Sequence, residues 1–239
     1  VPKEVRYHTR HAQCLEMRDA WGDQVPHGWV TGDDAFGRHS RFRHALRERG
    51  ERYVLGVPCT TTMRDLEAPL PAYTGRGRRP KAPWQSVTEW RRQALPDDTW
   101  THLTVRDGEK GPVEIELVRR RVQTRIERKR TGPPEWLVIT RRPLPDERPM
   151  EPRASRTATD QDARYRYHYS LSPTCVSEVE LEEPSLVELA RVIQAGACIE
   201  ASFKRGKGEV GMDEYQVRTW QGWHHHMALS LMAVWFLIG

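Results

Sequence analysis

Cysteine is scarce in this sequence of 239 residues, with only four, at Cys14, Cys59, Cys175 and Cys198. None of them forms a CxxC pair, and their spacing matches no zinc site. A disulfide framework is not indicated either, because such frameworks belong to short secreted domains that are dense in cysteine. We therefore expect reduced thiols in a cytoplasmic protein.

Long hydrophobic runs are also absent. The apolar C-terminal run Met227–Ile238 has about a dozen residues, whereas a helix that crosses a bilayer needs about 20. No signal peptide is visible. The run predicts a buried final helix rather than a membrane span. The preceding His224–His226 favours a structural role over metal ligation, because adjacent imidazoles point in different directions around a helix.

Common catalytic motifs are missing as well. The segment GKGEVG at 206–211 lacks the Gly-Lys-Ser/Thr ending of a nucleotide-binding loop and falls within a helical pattern. No Ser/His/Asp or Cys/His nucleophile set stands out. Charge is only mildly one-sided: Lys and Arg number 38 against 33 Asp and Glu, for a net charge of +5. This excess permits a nucleic-acid partner without requiring one, and arginine, which pairs bidentately with phosphate, greatly outnumbers lysine.

The first 66 residues alternate between helical and strand patterns. Residues 10–24 and 40–49 are helix-like, while 28–32 and 52–57 are short apolar runs typical of buried strands. The order strand, carboxylate, helix, strand predicts one parallel α/β unit within residues 1–66.

The middle of the chain has a different texture. Residues 67–83 are rich in Pro, Gly and basic groups and indicate a loop, and 86–94 indicate a short helix. Residues 185–239 return to helix. We predict an α/β core, 1–66 and 185–239, interrupted by a mainly β insertion, 67–184. Its strands are expected at Thr101–Arg106, Val113–Val122, Trp136–Thr140 and Tyr165–Leu171, with polar linkers at 127–134 and 142–162.

Two carboxylates, Asp33 and Asp34, follow the first predicted strand directly. The carboxyl end of a core strand is where α/β sheets bind ligands, so Asp33 is a candidate metal ligand. The alternative is an aspartate that only begins the turn before the next helix.

A second candidate lies in Ile199–Gly211, where Glu200 is followed by Lys207 after six residues. Positions seven apart share a helix face about two turns apart. The acid can hold Mg²⁺ and the lysine can grip a phosphodiester backbone. An ordinary solvated Glu/Lys face is the alternative.

These motifs, within residues 28–58 and 199–237, resemble bacterial insertion-sequence transposases of the DDE class. The resemblance covers roughly residues 1–66 and 185–239, and more loosely the middle of the chain. The family pattern D-x-x-[FY]-G is met by Asp33, Phe36 and Gly37, and its Glu followed by Lys after six residues is met by Glu200 and Lys207. The resemblance implies a ribonuclease-H-like mixed sheet with flanking helices and a β-rich insertion.

The resemblance also implies a function in transposition and DNA recombination. Asp33 and Glu200 would hold Mg²⁺ (or Mn²⁺), and Lys207 would position the scissile backbone. The complete enzyme would cut double-stranded DNA at element ends with water and join the 3′-hydroxyl to target DNA. A homodimer associated with the bacterial nucleoid is the implied setting.

Two departures from the family qualify this expectation. The positions where relatives often carry a Tyr and an Arg before the Glu hold Ile193 and Gly196. Nothing before Asp33 fits the first catalytic Asp, so the resemblance implies that the first three strands precede Val1. We therefore expect an N-terminally truncated domain that binds metal weakly and has little strand-transfer activity. A non-catalytic DNA-binding remnant and a stand-alone nuclease are the alternatives.

Further features suit DNA contact. The basic loop 75–81 can follow a backbone or be merely solvated, and Arg119–Arg130, with seven basic residues, can form a positive ribbon or an aggregation-resistant edge. Trp84, Trp90, Trp100, Trp220 and Trp223 can stack on unpaired bases, although packing suits most of them. The candidate DNA contacts are Lys204, Arg205, Arg218, Trp220, Arg76, Arg78, Arg79 and Lys81.

Overall fold

The computed structural model describes residues 2–94, 99–108, 111–126, 130–143, 169–178 and 183–238. Within these ranges it contains six α-helices and one mixed sheet of eight strands. The helices are α1 (Arg10–Trp21), α2 (Asp34–Gly37), α3 (Ser40–Glu48), α4 (Val87–Ala94), α5 (Leu186–Val210) and α6 (Trp220–Ile238). The strands are β1 (Val30–Gly32), β2 (Tyr53–Gly56), β3 (Thr62–Asp65), β4 (Gln85–Ser86), β5 (Thr101–Gly108), β6 (Gly111–Arg125), β7 (Thr131–Pro143) and β8 (Tyr169–Ser177).

The chain divides into two compact units. The larger unit, Val25–Val192, holds the whole sheet together with α2, α3, α4 and the first turns of α5. The smaller unit combines Val1–Gln24 with Ile193–Gly239 and contains α1, the rest of α5, and α6. The predicted division into core and insertion remains a prediction.

The sheet has the strand order β1-β2-β8-β7-β6-β3-β4, with β5 paired to β6. β1 and β2 are parallel, with Thr31 opposite Val54, and α2 and α3 connect them. The predicted parallel unit is therefore confirmed. All other strand pairs are antiparallel, including β2 with β8. The parallel pair and the later strands thus form one continuous sheet, a mixed α/β fold as predicted and consistent with a ribonuclease-H-like core.

The core of the larger unit lies where α4 packs on the sheet. Trp90 is 1% exposed, and its indole Nε1 donates to Asp65 Oδ2 at 2.9 Å. Burying each large apolar side chain contributes about 1.5–3 kcal/mol relative to leaving it in water. The other buried side chains of this hydrophobic cluster are Val57, Met63, Val87, Val118, Val122, Leu137, Ile139 and Cys175.

One expected linker is wrong. The predicted linker 127–134 overlaps β7, which begins at Thr131. The sequence TGPPEW reads as a loop because of its prolines. However, the ladder with β8 begins only at Glu135, so Pro133 and Pro134 leave no bond of that ladder unmade. Most of the predicted linker 142–162 and residues 165–168 of the last predicted strand lie outside the described residues.

The final helix also differs from expectation. α6 was predicted to be buried, but Leu229, Met232, Trp235 and Phe236 are 64–82% exposed. The side of α6 that carries Val234 approaches Gly206 of α5 closely. The apolar composition of α6 therefore predicted the helix correctly but did not predict that many of its apolar side chains are exposed.

Candidate active site

Asp33 lies at the carboxyl end of β1 and caps the short helix α2. Its Oδ1 accepts the backbone N–H of Ala35 at 3.0 Å, and the side chain is exposed. The turn-initiating role named as the alternative is therefore real, but the cap employs only one of the two carboxylate oxygens. The neighbouring Asp34 is held by Arg38, with Oδ2 and Nη2 2.6 Å apart. Asp33 is accordingly the better metal-ligand candidate of the two.

Two glycines fix the position of this turn against β2. A Cβ added to Gly37 would fall on the carbonyl oxygen of Gly56, so the backbones of α2 and β2 touch directly. A Cβ on Gly56 would lie 3.1 Å from the N of Asp34 and 3.2 Å from the carbonyl carbon of Asp33. The Gly of the D-x-x-F-G pattern is thus required by close backbone approach, which gives the pattern a physical reason.

A buried arginine also holds the turn that carries Asp33 and Gly37. Arg43, on α3, donates to the carbonyl of Gly37 and pairs through Nε with Glu135 Oε1 at 2.8 Å. Its Nη2 donates to Thr124 Oγ1 at 2.8 Å. Glu135 also accepts the hydroxyls of Thr124 and Tyr53, both at 2.6 Å. Every member is nearly inaccessible to water, and none of these side chains is among those with a buried polar atom that lacks a hydrogen-bond partner.

The electrostatics of this network favour the ion pair. Burial alone would raise the pKa of Glu135, but the charge of Arg43 and three hydrogen bonds outweigh it and lower that pKa. Burial opposes the charge on Arg43 too, and the adjacent Glu135 reverses the effect and raises the pKa of Arg43. This network was not predicted from the sequence, because Arg43 is one of several basic residues in α3 and its partners lie on distant strands.

The start of α5 is anchored near the amino ends of the parallel strands. The indole Nε1 of Trp29 donates to Glu188 Oε1 at 3.0 Å, and Arg52 Nη2 lies 3.2 Å from the same oxygen. The guanidinium of Arg52 stacks over Trp29 at 3.8 Å. Ser185 caps the helix by accepting the N–H of Glu188 at 3.1 Å. Three segments of the chain are thus joined at one carboxylate.

Glu200 and Lys207 both lie on α5, and both side chains are exposed. At 1.5 Å per residue they are separated by about 10 Å along one helix face. Lys204 is exposed on the same helix, whereas Arg205 pairs with Glu209 at 3.1 Å. Asp33 and Glu200 belong to different compact units, and their meeting at one site stays a prediction.

The donor chemistry suits a hard cation only in part. Asp33 and Glu200 offer exposed carboxylate oxygens, which are the ligands that Mg²⁺ prefers. Within the described ranges, however, no three His, Cys, Asp or Glu side chains are grouped so that they could hold a metal ion. Each acid therefore qualifies as a single ligand, and a complete ligand set is not assembled in these residues.

The basic stretch on β6 is largely neutralised where it is described. Arg119 pairs with Glu183 at 2.6 Å and Arg121 with Glu178 at 2.6 Å. Arg120 pairs with Glu67 at 2.9 Å. These ion pairs favour the charged-edge alternative over a positive ribbon, although residues 127–129 lie outside the described residues. In the loop 75–81, by contrast, the side chains of Arg76, Arg78, Arg79 and Lys81 are all exposed.

The tryptophans considered for base stacking fall into core residues and partly exposed residues. Trp90 is a core residue, and Trp100 packs against that core. Trp220 and Trp223 are 40% and 38% exposed and flank His224, with ring centroids 4.4 and 4.9 Å away. Arg218, just before them, is exposed.

The histidines beside these tryptophans have structural partners. His224 Nδ1 donates to the carbonyl of Trp220 at 2.9 Å, and His226 Nε2 donates to that of Gly211 at 3.2 Å. A structural role for these two histidines is therefore supported.

Comparison with known proteins gives one match, which covers the first part of the chain. Residues 1–112 match the family model described as DDE superfamily endonuclease. The match includes β1, the Asp33 turn, α3 and β2, and it ends before Glu200. The resemblance to DDE-class, transposase-type nucleases is thereby confirmed for this part of the chain. Among curated proteins, none matches the chain. In the part of the chain that the structure describes, no helix combines the length and apolarity that a bilayer span requires.

Proposed function

We propose that this chain carries part of the catalytic site of a DNA transposase that performs metal-dependent phosphodiester cleavage and strand transfer in the complete enzyme. The observation that carries the proposal is the position of Asp33. It stands at the carboxyl end of a parallel strand, in a turn fixed by Gly37, inside the segment that matches DDE endonucleases.

The roles follow from side-chain chemistry. Asp33 and Glu200 would be ligands of Mg²⁺ (or Mn²⁺), which when bound activates a nucleophile and stabilises the leaving oxygen of an in-line displacement. Lys207, on the same face of α5 as Glu200, would hold the phosphodiester backbone by its charge. Asp34 has no part in this set, because Arg38 already neutralises it.

The partner would be double-stranded DNA, as element end and as target. Lys204, on α5, and Arg218, two residues before α6, are exposed and offer sequence-independent phosphate contacts, whereas Arg205 pairs with Glu209. Trp220 offers a half-exposed indole for stacking. A bacterial insertion sequence as the source, a dimeric assembly and residence on the nucleoid complete the proposal.

Iron-directed cleavage of the protein tests the metal site without requiring turnover. Fe²⁺ with ascorbate and peroxide produces hydroxyl radicals at the bound ion, and we expect backbone cuts near both residue 33 and residue 200. Asp33→Asn should abolish both cuts together, while the matched variant Asp34→Asn should retain them. Cuts near only one of the two acids, or equal loss in the two variants, would reject a shared site.

A non-catalytic DNA-binding remnant is the second candidate. The observation in its favour is that the described residues hold no group of three metal ligands. A site with so few protein ligands binds its metal weakly, and we accordingly expect this chain alone to show little strand transfer. Metal-dependent nicking of a duplex that is lost in Glu200→Ala supports the enzyme. Duplex binding unchanged by Asp33→Ala and Glu200→Ala, with no nicking by the unmodified chain, supports the remnant.

A further inference from the structure

One indole of the larger unit contacts two guanidinium groups. The ring of Trp84 lies 4.4 Å from Arg64, on β3, and 4.5 Å from Arg125, on β6. The register explains the first contact, because β3 pairs with β4 through Met63 and Gln85, and Trp84 is the next residue along. Trp84 is half-buried, so the three side chains form a surface feature, called here the Arg64–Trp84–Arg125 stack.

Arg64 differs from other arginines that stack on tryptophan in this unit. Arg52 over Trp29 also holds Glu188, and Arg119 over Trp136 also holds Glu183. Arg64 forms no ion pair in the part of the chain described, and its Nε is buried without a hydrogen-bond partner. Its positive charge is therefore not neutralised by a neighbouring acid there.

A stacked guanidinium remains able to bind an anion. Contact with an aromatic ring satisfies none of the N–H donors of a guanidinium, and its planar fork matches the geometry of phosphate. Arginine is also weakly hydrated, so the exchange of water for a phosphate oxygen is less costly than it is for lysine. The contact with Trp84 also restricts the Arg64 side chain, so less conformational entropy is lost when it binds an anion.

The surroundings add charge of the same sign. Lys81 precedes Trp84 by three residues, so its backbone lies within about 10 Å of the stack. Arg76, Arg78 and Arg79 continue the same loop and are exposed. Gly75 and Gly77, with φ of +83° and +76°, turn the loop. A polyanion with regularly spaced phosphates complements this distribution.

We infer that the Arg64–Trp84–Arg125 stack contacts the phosphodiester backbone of DNA, without reading its sequence. The inference rests on the proposed function only in taking DNA as the partner. It does not depend on Asp33, Glu200 or a metal ion.

Fluorescence anisotropy with a labelled mixed-sequence duplex in EDTA tests the contact on the full chain. We expect Arg64→Gln to weaken binding several-fold and to reduce the slope of log affinity against log salt by about 0.9, the value for one lost phosphate contact. Arg119→Gln is the matched control, since that arginine stacks on Trp136 but is paired with Glu183. It should change neither the affinity nor the slope.

Two further variants separate contact from folding. Trp84→Phe keeps an aromatic face and should retain binding, whereas Trp84→Ala should lose affinity while its melting temperature remains close to that of Arg119→Gln. An unchanged salt slope in Arg64→Gln, an equal loss in the control, or failure of the unmodified chain to bind duplex overturns the inference. Failure of the iron-directed cleavage with a positive result here would reject the metal site and leave the backbone contact standing.

Discussion

Arg43 and Glu135, 92 positions apart in the sequence, form a buried ion pair in which Nε and Oε1 lie 2.8 Å apart. The pair connects α3 with β7, and Arg43 carries the connection to the carbonyl of Gly37. The turn that presents Asp33 is thus tied to the centre of the sheet. Substitutions far from Asp33 in sequence should therefore disturb it.

Removal of the Glu135 carboxylate should strongly destabilise the folded protein. Glu135→Ala would leave Arg43 charged and buried without its partner, and we expect the free energy of unfolding to fall by about 3–5 kcal/mol. Urea unfolding followed by circular dichroism measures the change. Glu209→Ala is the control, since its pair with Arg205 is exposed and should contribute nothing measurable. A loss for Glu135→Ala no larger than that of the control would contradict this account of the network.

Low pH should lower the stability of the folded protein, because Glu135 becomes protonated. The folded pKa of Glu135 is lowered, because Arg43 and its hydrogen bonds outweigh burial. Its contribution is therefore present above the unfolded pKa of about 4.3 and is lost as the pH falls through the folded value. We expect stability to drop below about pH 4, and the drop to be shallower in Glu135→Gln. Equal acid slopes in the two proteins, from urea titrations across this range, would exclude Glu135 as the cause.

The four thiols should differ in reactivity. Cys59 and Cys198 are exposed, whereas Cys175 is buried in the sheet, where burial is the main cause that raises its pKa to about 12. Only the thiolate reacts, so Cys175 should resist alkylation until the protein unfolds. Burial also raises the pKa of Cys14, which should react more slowly than the exposed pair. Timed labelling with iodoacetamide and mass spectrometry gives the order, and early labelling of Cys175 would contradict the described core.

Two glycines should respond in opposite directions to alanine. Gly37→Ala forces backbone apart at Gly56, and we expect a loss of about 1–3 kcal/mol. Gly196 lies inside α5 with open space around it, so Gly196→Ala should stabilise the protein by about 0.5–1 kcal/mol. Thermal unfolding of the two variants measures both changes in stability. A stabilised Gly37→Ala would mean that the close approach of the two backbones is wrong.

The elements that the sequence predicts correctly are those that depend on residues close together in the chain. Hydrophobic periodicity and turn residues were enough for α1, α3, the parallel pair β1 and β2, and the helical setting of Glu200 and Lys207. The two-residue strand β4 was missed, because two residues carry no period. The prolines before Glu135 disguised the start of β7, since the cost of a missing N–H depends on which side of the strand is paired.

Long-range electrostatics could not be predicted in the same way. Nothing near Arg43 announces that its partner is Glu135, and nothing near Arg119 points to Glu183. Those pairs exist because the sheet order places distant segments side by side. The apolar sequence of α6 likewise identified a helix but not its surroundings. The meeting of Asp33 with Glu200 is a question of the same kind, and iron-directed cleavage addresses it.

The contact between Gly37 and Gly56 has a consequence for genetics. Main-chain atoms meet there, so no exchange of a neighbouring side chain can restore the space that a methyl group would occupy. Second-site revertants of Gly37→Ala should accordingly be rare, and those that arise should shift the path of β2 itself rather than repack the residues around it.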